Sequence, residues 1–152
     1  MSTVAVTRLI EAPVASVWQV FTDLARRRDW LSAVTRVEVL SKGPFGAGTA
    51  WRETRPMADG GEITEEFHVL ECVIPDRFVV TSPGIGADYT MTYSFVPVVS
   101  GRHRGGTMVT VVQDGGATQP GGRLLALIFG GLAAGTAEVA MRRDLDDLAA
   151  VA

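Results

Sequence analysis

The spacing of apolar residues changes along the chain, and each change predicts a new element. Residues 4–10 are rich in β-branched side chains and are followed by Pro13, which predicts a first strand that ends before the proline. From Val14 onward the apolar residues recur at helical spacing, with Pro13 at the helix start. A second short helix is expected over residues 23–29.

Strand-like runs then follow at short intervals. Every gap between them contains Gly, Pro or Asp residues, which favour tight turns. Consecutive strands are therefore predicted to pair as antiparallel hairpins. The predicted strands cover residues 34–40, 49–55, 62–73, 78–81, 88–96 and 107–113.

The C-terminal part of the chain returns to helical spacing. Residues 120–150 hold no proline after Pro120 and predict one amphipathic helix, about 45 Å long at 1.5 Å per residue. A curved antiparallel sheet needs its apolar face covered, and this helix is long enough to cover it. The predicted fold is α+β: a β-α-α-β6-α helix-grip domain spanning residues 1–152, with the sheet wrapped around the C-terminal helix.

Composition and net charge restrict the classes of binding partner and the cellular location that we expect. Hydrophobic residues make up 47% of the chain and the net charge is −3, so no basic field is present to bind nucleic acid. A single cysteine, Cys72, and the lack of a basic N-terminal leader lead us to expect a cytoplasmic location. The uncharged run at residues 124–137 is shorter than the roughly 20 residues that a membrane span needs, so we expect a buried helix there.

Short strings spread along nearly the whole chain carry a family resemblance. They are Glu11-Ala12-Pro13 before Val17-Trp18, Phe21-Thr22-Asp23, Asp29-Trp30, Gly46-Ala47-Gly48-Thr49 before Trp51-Arg52-Glu53, Pro75-Asp76-Arg77-Phe78, and Gly106-Thr107 before Val109-Thr110-Val111. As an ordered set they resemble the START-like superfamily of polyketide cyclases, dehydrases and lipid-transfer proteins. The resemblance implies a helix-grip fold with a hydrophobic tunnel beneath the C-terminal helix. It implies no single activity and no universal catalytic residue.

A ligand site is predicted on the aromatic face of the strand over residues 88–96. Tyr89, Met91, Tyr93 and Phe95 alternate with polar residues and share one face. The two hydroxyl groups would need partners in a dry core, which favours a cavity over plain core packing, although both interpretations remain open. The predicted ligand-binding residues are Trp30, Trp51, Phe67, Tyr89, Met91, Tyr93, Phe95, Ile128, Phe129 and Leu132.

Two acids fall on predicted apolar faces. Glu65 alternates in step with Phe67, and Glu53 alternates in step with Trp51. A buried carboxylate is unfavourable unless it is paired or used, so a solvated pocket could hold both acids, with Arg52 or Arg55 brought round by a bulge. The alternative is that both acids face water. In an enzyme, Glu53 or Glu65 would act as general base and Tyr93 as proton donor.

Other motifs favour structural roles. His68 and Cys72 share strand parity but lie about 13 Å apart along a strand, too far to bind one metal ion, so no metal and no cofactor is expected. The glycines from Gly43 to Gly48 precede a strand, whereas a dinucleotide-binding loop must open a helix. The arginines at positions 26–28 are expected to lie in water at the end of the short helix.

Three function classes remain after these exclusions. The first hypothesis is binding or transport of a small hydrophobic ligand, such as a lipid, an isoprenoid or a polyketide, by a monomer or homodimer without nucleic acid or an integral membrane segment. The second is a polyketide aromatase/cyclase or dehydrase. The third is a protein-interaction module without a ligand, for which a filled core is expected.

Overall fold

The computed structural model of the protein describes residues 2–57, 60–84, 87–117 and 134–152. In this part of the chain the strands are β1 (Ser2–Ile10), β2 (Arg36–Val39), β3 (Ala50–Pro56), β4 (Glu62–Val73), β5 (Arg77–Gly84), β6 (Ala87–Pro97) and β7 (Thr107–Ala117). The helices are α1 (Val14–Thr22), α2 (Arg27–Trp30) and α3 (Ala134–Val151), and a single 3₁₀ turn, Leu24–Arg26, joins α1 to α2.

All strands belong to one antiparallel sheet with the order β1-β7-β6-β5-β4-β3-β2. The predicted hairpin pairing of consecutive strands from β2 to β7 is confirmed. Strand β1 pairs with β7, so that Val6 lies opposite Val111. The first two strands therefore form opposite edges of the sheet, and α1 and α2 carry the chain from one edge to the other.

Strand β4 contains a bulge that reverses its alternation. The register with β5 shifts between Val69 and Glu71, and Val69 is buried while Leu70 is exposed. Beyond the shift, Cys72 packs against the core, whereas His68 on the near side pairs with Glu66 outside it. The prediction that His68 and Cys72 share a face is wrong, because one extra residue in a bulge moves every later side chain to the other side.

Helix α1 places large side chains against the inner face of the sheet. Val17, Trp18 and Phe21 are buried at helical spacing. The Trp18 ring packs edge-on against Phe78 and Phe95, with centroid distances of 5.7 and 5.3 Å. One end of the inner face is therefore filled by aromatic rings.

Helix α3 covers the same face with the buried residues Ala137, Met141, Leu145 and Leu148. The predicted C-terminal helix is thus confirmed over Ala134–Val151, and the arrangement is the α+β helix-grip fold expected from the sequence. The remainder of that predicted helix lies outside the described residues. Among the described helices, none is long and apolar enough to cross a membrane.

Candidate functional site

A cavity of about 90 Å³ lies between the inner face of the sheet and α3. Its described walls combine aromatic and ionisable side chains. The aromatic ones are Trp51, Phe67, Tyr89 and Tyr93, and the ionisable ones are Arg27, Glu53, Arg55, Glu65 and Asp144. This mixture distinguishes the cavity from the ring-filled end of the same sheet.

Strand register explains why these side chains meet. Trp51 on β3 lies opposite Phe67 on β4, and one pleat further along Glu53 lies opposite Glu65. Directly opposed residues on one face of an antiparallel pair have Cβ atoms about 5 Å apart. The inward orientation of both acids agrees with their strand parity, and the alternative that both face water is wrong, since both line the cavity.

Glu53 is the centre of an ion-pair network and is only 2% exposed. Its Oε1 accepts hydrogen bonds from Arg27 Nε and from Trp51 Nε1, the latter at 2.9 Å, and its Oε2 accepts one from Arg55 Nη2 at 3.3 Å. Burial raises the pKa of Glu53, but the two guanidinium groups and the donated hydrogen bonds outweigh burial and hold the pKa below its ordinary value. Glu53 is therefore an ionised structural partner and is poorly suited to act as a base.

Arg27 corrects the expectation that all three arginines at positions 26–28 lie in water, because it is only 4% exposed. Its guanidinium carbon lies 4.9 Å from the ring centroid of Phe21 and 5.6 Å from that of Trp51. The missed signal is spacing: Arg27 lies three residues after the buried Leu24 and three before Trp30, on the inward side of the short helix.

Arg55 connects the sheet to α3. Its Nη1 and Nη2 donate to the two carboxylate oxygens of Asp144 at 3.1 and 2.7 Å, a bidentate pair. Burial lowers the pKa of Arg55, but Asp144 and Glu53 outweigh burial and raise it above its ordinary value. No bulge is needed, because Arg55 alternates in step with Glu53, while Arg52 points outward and donates to Glu66 at 3.0 Å.

Sequence reasoning missed Asp144. This acid lies three residues after Met141 and four before Leu148, so it belongs to the apolar stripe of α3. Burial raises the pKa of its carboxyl group, and the Arg55 guanidinium partly offsets that effect. A charge within an apolar stripe was the available signal, but its partner could not be read from the helix alone.

Glu65 differs from Glu53 although the two acids face each other. Burial, together with the negative charge of Glu53, raises the pKa of Glu65 to about 7, against smaller lowering effects of Arg55 and of a long 3.5 Å hydrogen bond donated by Ser82 Oγ. Paired acids in one site commonly separate in this way, one ionised and one titrating near neutrality. Among the described cavity residues, Glu65 is the acid suited to transferring a proton at neutral pH.

Two tyrosines supply hydroxyl groups to the cavity wall. The Tyr93 hydroxyl donates to the sulfur of Met91 at 3.7 Å, and burial raises the pKa of Tyr93. Burial and the nearby Glu65 likewise raise the pKa of Tyr89, which lies opposite Ser82. Both hydroxyl groups therefore keep their protons at neutral pH and can donate hydrogen bonds.

The structure brings most of the predicted site residues together, and the exceptions are instructive. Trp51, Phe67, Tyr89, Met91 and Tyr93 all line the cavity with Glu53 and Glu65. Phe95 lies instead in the ring-filled core, and Trp30 packs on Phe21 and Arg27 outside the cavity wall. Ile128, Phe129 and Leu132 lie outside the described residues.

Comparison with known proteins identifies the family. The family model described as polyketide cyclase / dehydrase and lipid transport matches residues 1–152, the whole chain. The chain belongs to this family. The resemblance inferred from the sequence strings is thereby confirmed. No curated protein matches the chain significantly.

Solved structures show the same fold at low sequence identity. TTHA0849 from Thermus thermophilus is 24% identical with a TM-score of 0.76, and the match covers 98% of this chain and 95% of that one. CV1439 from Chromobacterium violaceum is 20% identical with a TM-score of 0.71, covering 99% and 97%. The di-domain ARO/CYC StfQ of the steffimycin biosynthetic pathway is 12% identical with a TM-score of 0.73, covering 97% of this chain and 50% of StfQ. At these identities the likeness establishes only the fold. What the site of this polyketide cyclase / dehydrase and lipid transport family member does depends on the residues that the chain itself carries.

Proposed function

We propose that this family member binds a small amphipathic molecule in the cavity between the sheet and α3. The molecule's apolar body would contact Trp51, Phe67 and Tyr89, and its polar group would approach Glu65 and Ser82. The observation that carries the proposal is the composition of the described cavity wall, which combines aromatic side chains with an acid that accepts no hydrogen bond from the described arginines.

The size of the cavity supports a compact ligand. Its volume of about 90 Å³ is below the roughly 300–1,000 Å³ of drug-sized ligand sites. The rings of Trp51 and Phe67 stack with centroids 5.4 Å apart, so this part of the wall offers aromatic contacts to a ring-shaped ligand. A polyketide-like ring therefore fits this site better than a long acyl chain does. An interaction module with a filled core, the third hypothesis, is less well supported.

Catalysis is the second candidate, and one observation favours it. Glu65 titrates near neutral pH, while the buried Tyr93 hydroxyl stays protonated. Cyclisation or dehydration of a polyketide-like chain requires removal of a proton beside a ketone and delivery of a proton to an oxygen. Glu65 as base and Tyr93 as donor would supply these two steps from one cavity.

The test combines ligand detection with a matched pair of variants. Native mass spectrometry of the freshly purified protein should show bound species of small-molecule mass. Intrinsic tryptophan fluorescence, to which Trp51 contributes from the cavity wall, should report titration with single-ring aromatic ketones. Glu65→Gln should change that titration, whereas Glu66→Gln should not, because Glu66 lies on the outer face with Arg52 and His68. Absence of any bound species and of any saturable signal would contradict the proposal.

A turnover assay separates binding from catalysis. If the protein is a cyclase or dehydrase, Glu65→Gln should abolish conversion of a polyketide-like substrate while the substrate still binds. Conversion that is unaffected in Glu65→Gln would rule out Glu65 as the base. Binding without conversion in the unmodified protein would leave the carrier role as the function.

A further inference from the structure

The cavity is lined by more acidic than basic side chains among the described residues. Three acids and two arginines line it among the described residues: Glu53, Glu65, Asp144, Arg27 and Arg55. When Glu65 is protonated, the two remaining carboxylates balance the two guanidinium groups. Any further negative charge brought in by a ligand would therefore lack a cation to pair with in this part of the structure.

Both arginines are already engaged with protein groups. Arg27 donates to Glu53 and to the backbone oxygen of Phe21, and aromatic rings lie within 6 Å of its guanidinium carbon. Arg55 holds Asp144 through two hydrogen bonds and Glu53 through a third. A ligand carboxylate would have to compete with these partners in a site of low dielectric, where replacing a partner is unfavourable.

We propose that the cavity selects ligands whose polar group is an uncharged hydrogen-bond acceptor, such as a ketone, and discriminates against carboxylates of the same shape. This inference rests on the proposed function and specifies the ligand class of that same site. The selectivity depends on Glu53 and Glu65, which lie opposite each other on neighbouring strands. Ion pairs neutralise Glu53 but leave Glu65 without a cationic hydrogen-bond partner among the described residues.

Each element around Glu65 adds to the discrimination. Strand β3 presents Glu53 and Arg55, α2 presents Arg27, and α3 presents Asp144. Strand β5 contributes the hydroxyl of Ser82, and β6 contributes the hydroxyl of Tyr89. A protonated Glu65 can donate a hydrogen bond to a ketone oxygen, so ketone affinity should fall as pH rises through about 7 and Glu65 loses that proton. An ionised Glu65 would repel a ligand carboxylate.

The experiment uses two compact probes that share one ring system, acetophenone and benzoate. Their dissociation constants for the full chain are measured at pH 6 and pH 8 by calorimetry or ligand-observed NMR. The ketone should bind at least tenfold more tightly than the carboxylate at pH 8, and its affinity should be higher at pH 6 than at pH 8.

Matched variants assign the preference to the cavity charge. At pH 8 Glu65→Gln removes one negative charge, so benzoate should bind at least fivefold more tightly to it and the ratio of the two affinities should shrink. Glu66→Gln removes the same charge from the adjacent outward position and should leave the ratio unchanged. A circular dichroism melt of each variant verifies that it is folded.

The possible outcomes separate this inference from the proposed function. Binding of benzoate as tight as that of the ketone would overturn the charge selectivity and leave the cavity as a ligand site. A ketone preference that persists unchanged in Glu65→Gln would also overturn it, because Glu65 would then not be responsible. Binding of neither probe would overturn both the inference and the proposed function.

Discussion

The two ends of the sheet's inner face bury different kinds of side chain. At the end covered by α1, the rings of Trp18, Phe78 and Phe95 are in mutual contact and fill the space. At the end covered by α3, Glu53 and Arg55 pair with other charged groups around a cavity. Rings gain stability by filling volume, whereas buried charges are stable only when they keep their partners.

Strand β6 runs through both ends, which makes the contrast informative. Phe95 belongs to the filled end, Tyr89 to the cavity, and Tyr93 contacts both, with its ring 4.8 Å from Phe78. These residues share one parity, so alternation alone cannot separate core from site. The difference arises from what each covering helix places opposite them.

The largest expected effect is loss of packing at the filled end. Phe95→Ala should lower the free energy of unfolding by about 4 kcal/mol, because it removes a buried ring and leaves a void. Urea denaturation measures the change. Val96→Ala, at an exposed position on the same strand, is the control and should have little effect. A loss below about 1 kcal/mol in Phe95→Ala would show that the filled end is loosely packed.

A somewhat smaller loss is expected when the charge network is broken. Glu53→Gln leaves Arg27 and Arg55 without their shared carboxylate and should lower the free energy of unfolding by about 3 kcal/mol. Glu38→Gln removes the carboxylate of an exposed pair with Arg52 and should cost less than about 1 kcal/mol. Equal losses in the two variants would mean that water solvates the Glu53 network and that the two ends do not differ as described.

The pH dependence of stability sharpens the comparison further. Glu65 holds its proton in the folded state up to about pH 7, whereas the unfolded chain releases it near the ordinary value of 4.5. Folding is therefore favoured at low pH, and this contribution is lost as pH rises through that window. Relative to Glu65→Gln, the unmodified protein should lose about 2 kcal/mol of unfolding free energy between pH 5 and pH 8.

Thermal or urea unfolding of Glu65→Gln and Glu38→Gln across this pH range provides the measurement. The stability difference between the unmodified protein and Glu38→Gln should not show this decline, because Glu38 is exposed and pairs with an arginine, Arg52. A difference between the unmodified protein and Glu65→Gln that does not change with pH would place Glu65 in contact with bulk solvent.

The smallest effect on stability is expected at the boundary between the two ends. Tyr93→Phe removes a hydroxyl group that donates to the weakly accepting sulfur of Met91. The free energy of unfolding should change by less than about 1 kcal/mol, since the ring packing is kept. If Tyr93 donates a proton during catalysis, turnover should nevertheless fall at least a hundredfold. A large loss of stability with unchanged turnover would assign the hydroxyl to the core instead.

The sequence by itself determined the elements and the inward faces of the strands. Alternation and turn residues are local properties, so they predicted the hairpins and the inner face of Tyr89 and Tyr93, and left open whether Glu53 and Glu65 point inward or face water. The family resemblance rests on the same kind of short strings. These signals need no knowledge of which distant residues meet.

Only the tertiary structure decided which charges pair and where space remains. Arg27 meets Glu53 across 26 positions of sequence, and Arg55 meets Asp144 across 89. The pairing of β1 with β7 is equally remote along the chain. An arginine in a short helix favours water unless a buried carboxylate lies within reach, and that distance is set by the sheet register and by the placement of α2 and α3. The same placement fills one end of the inner face with rings and leaves a charged cavity at the other.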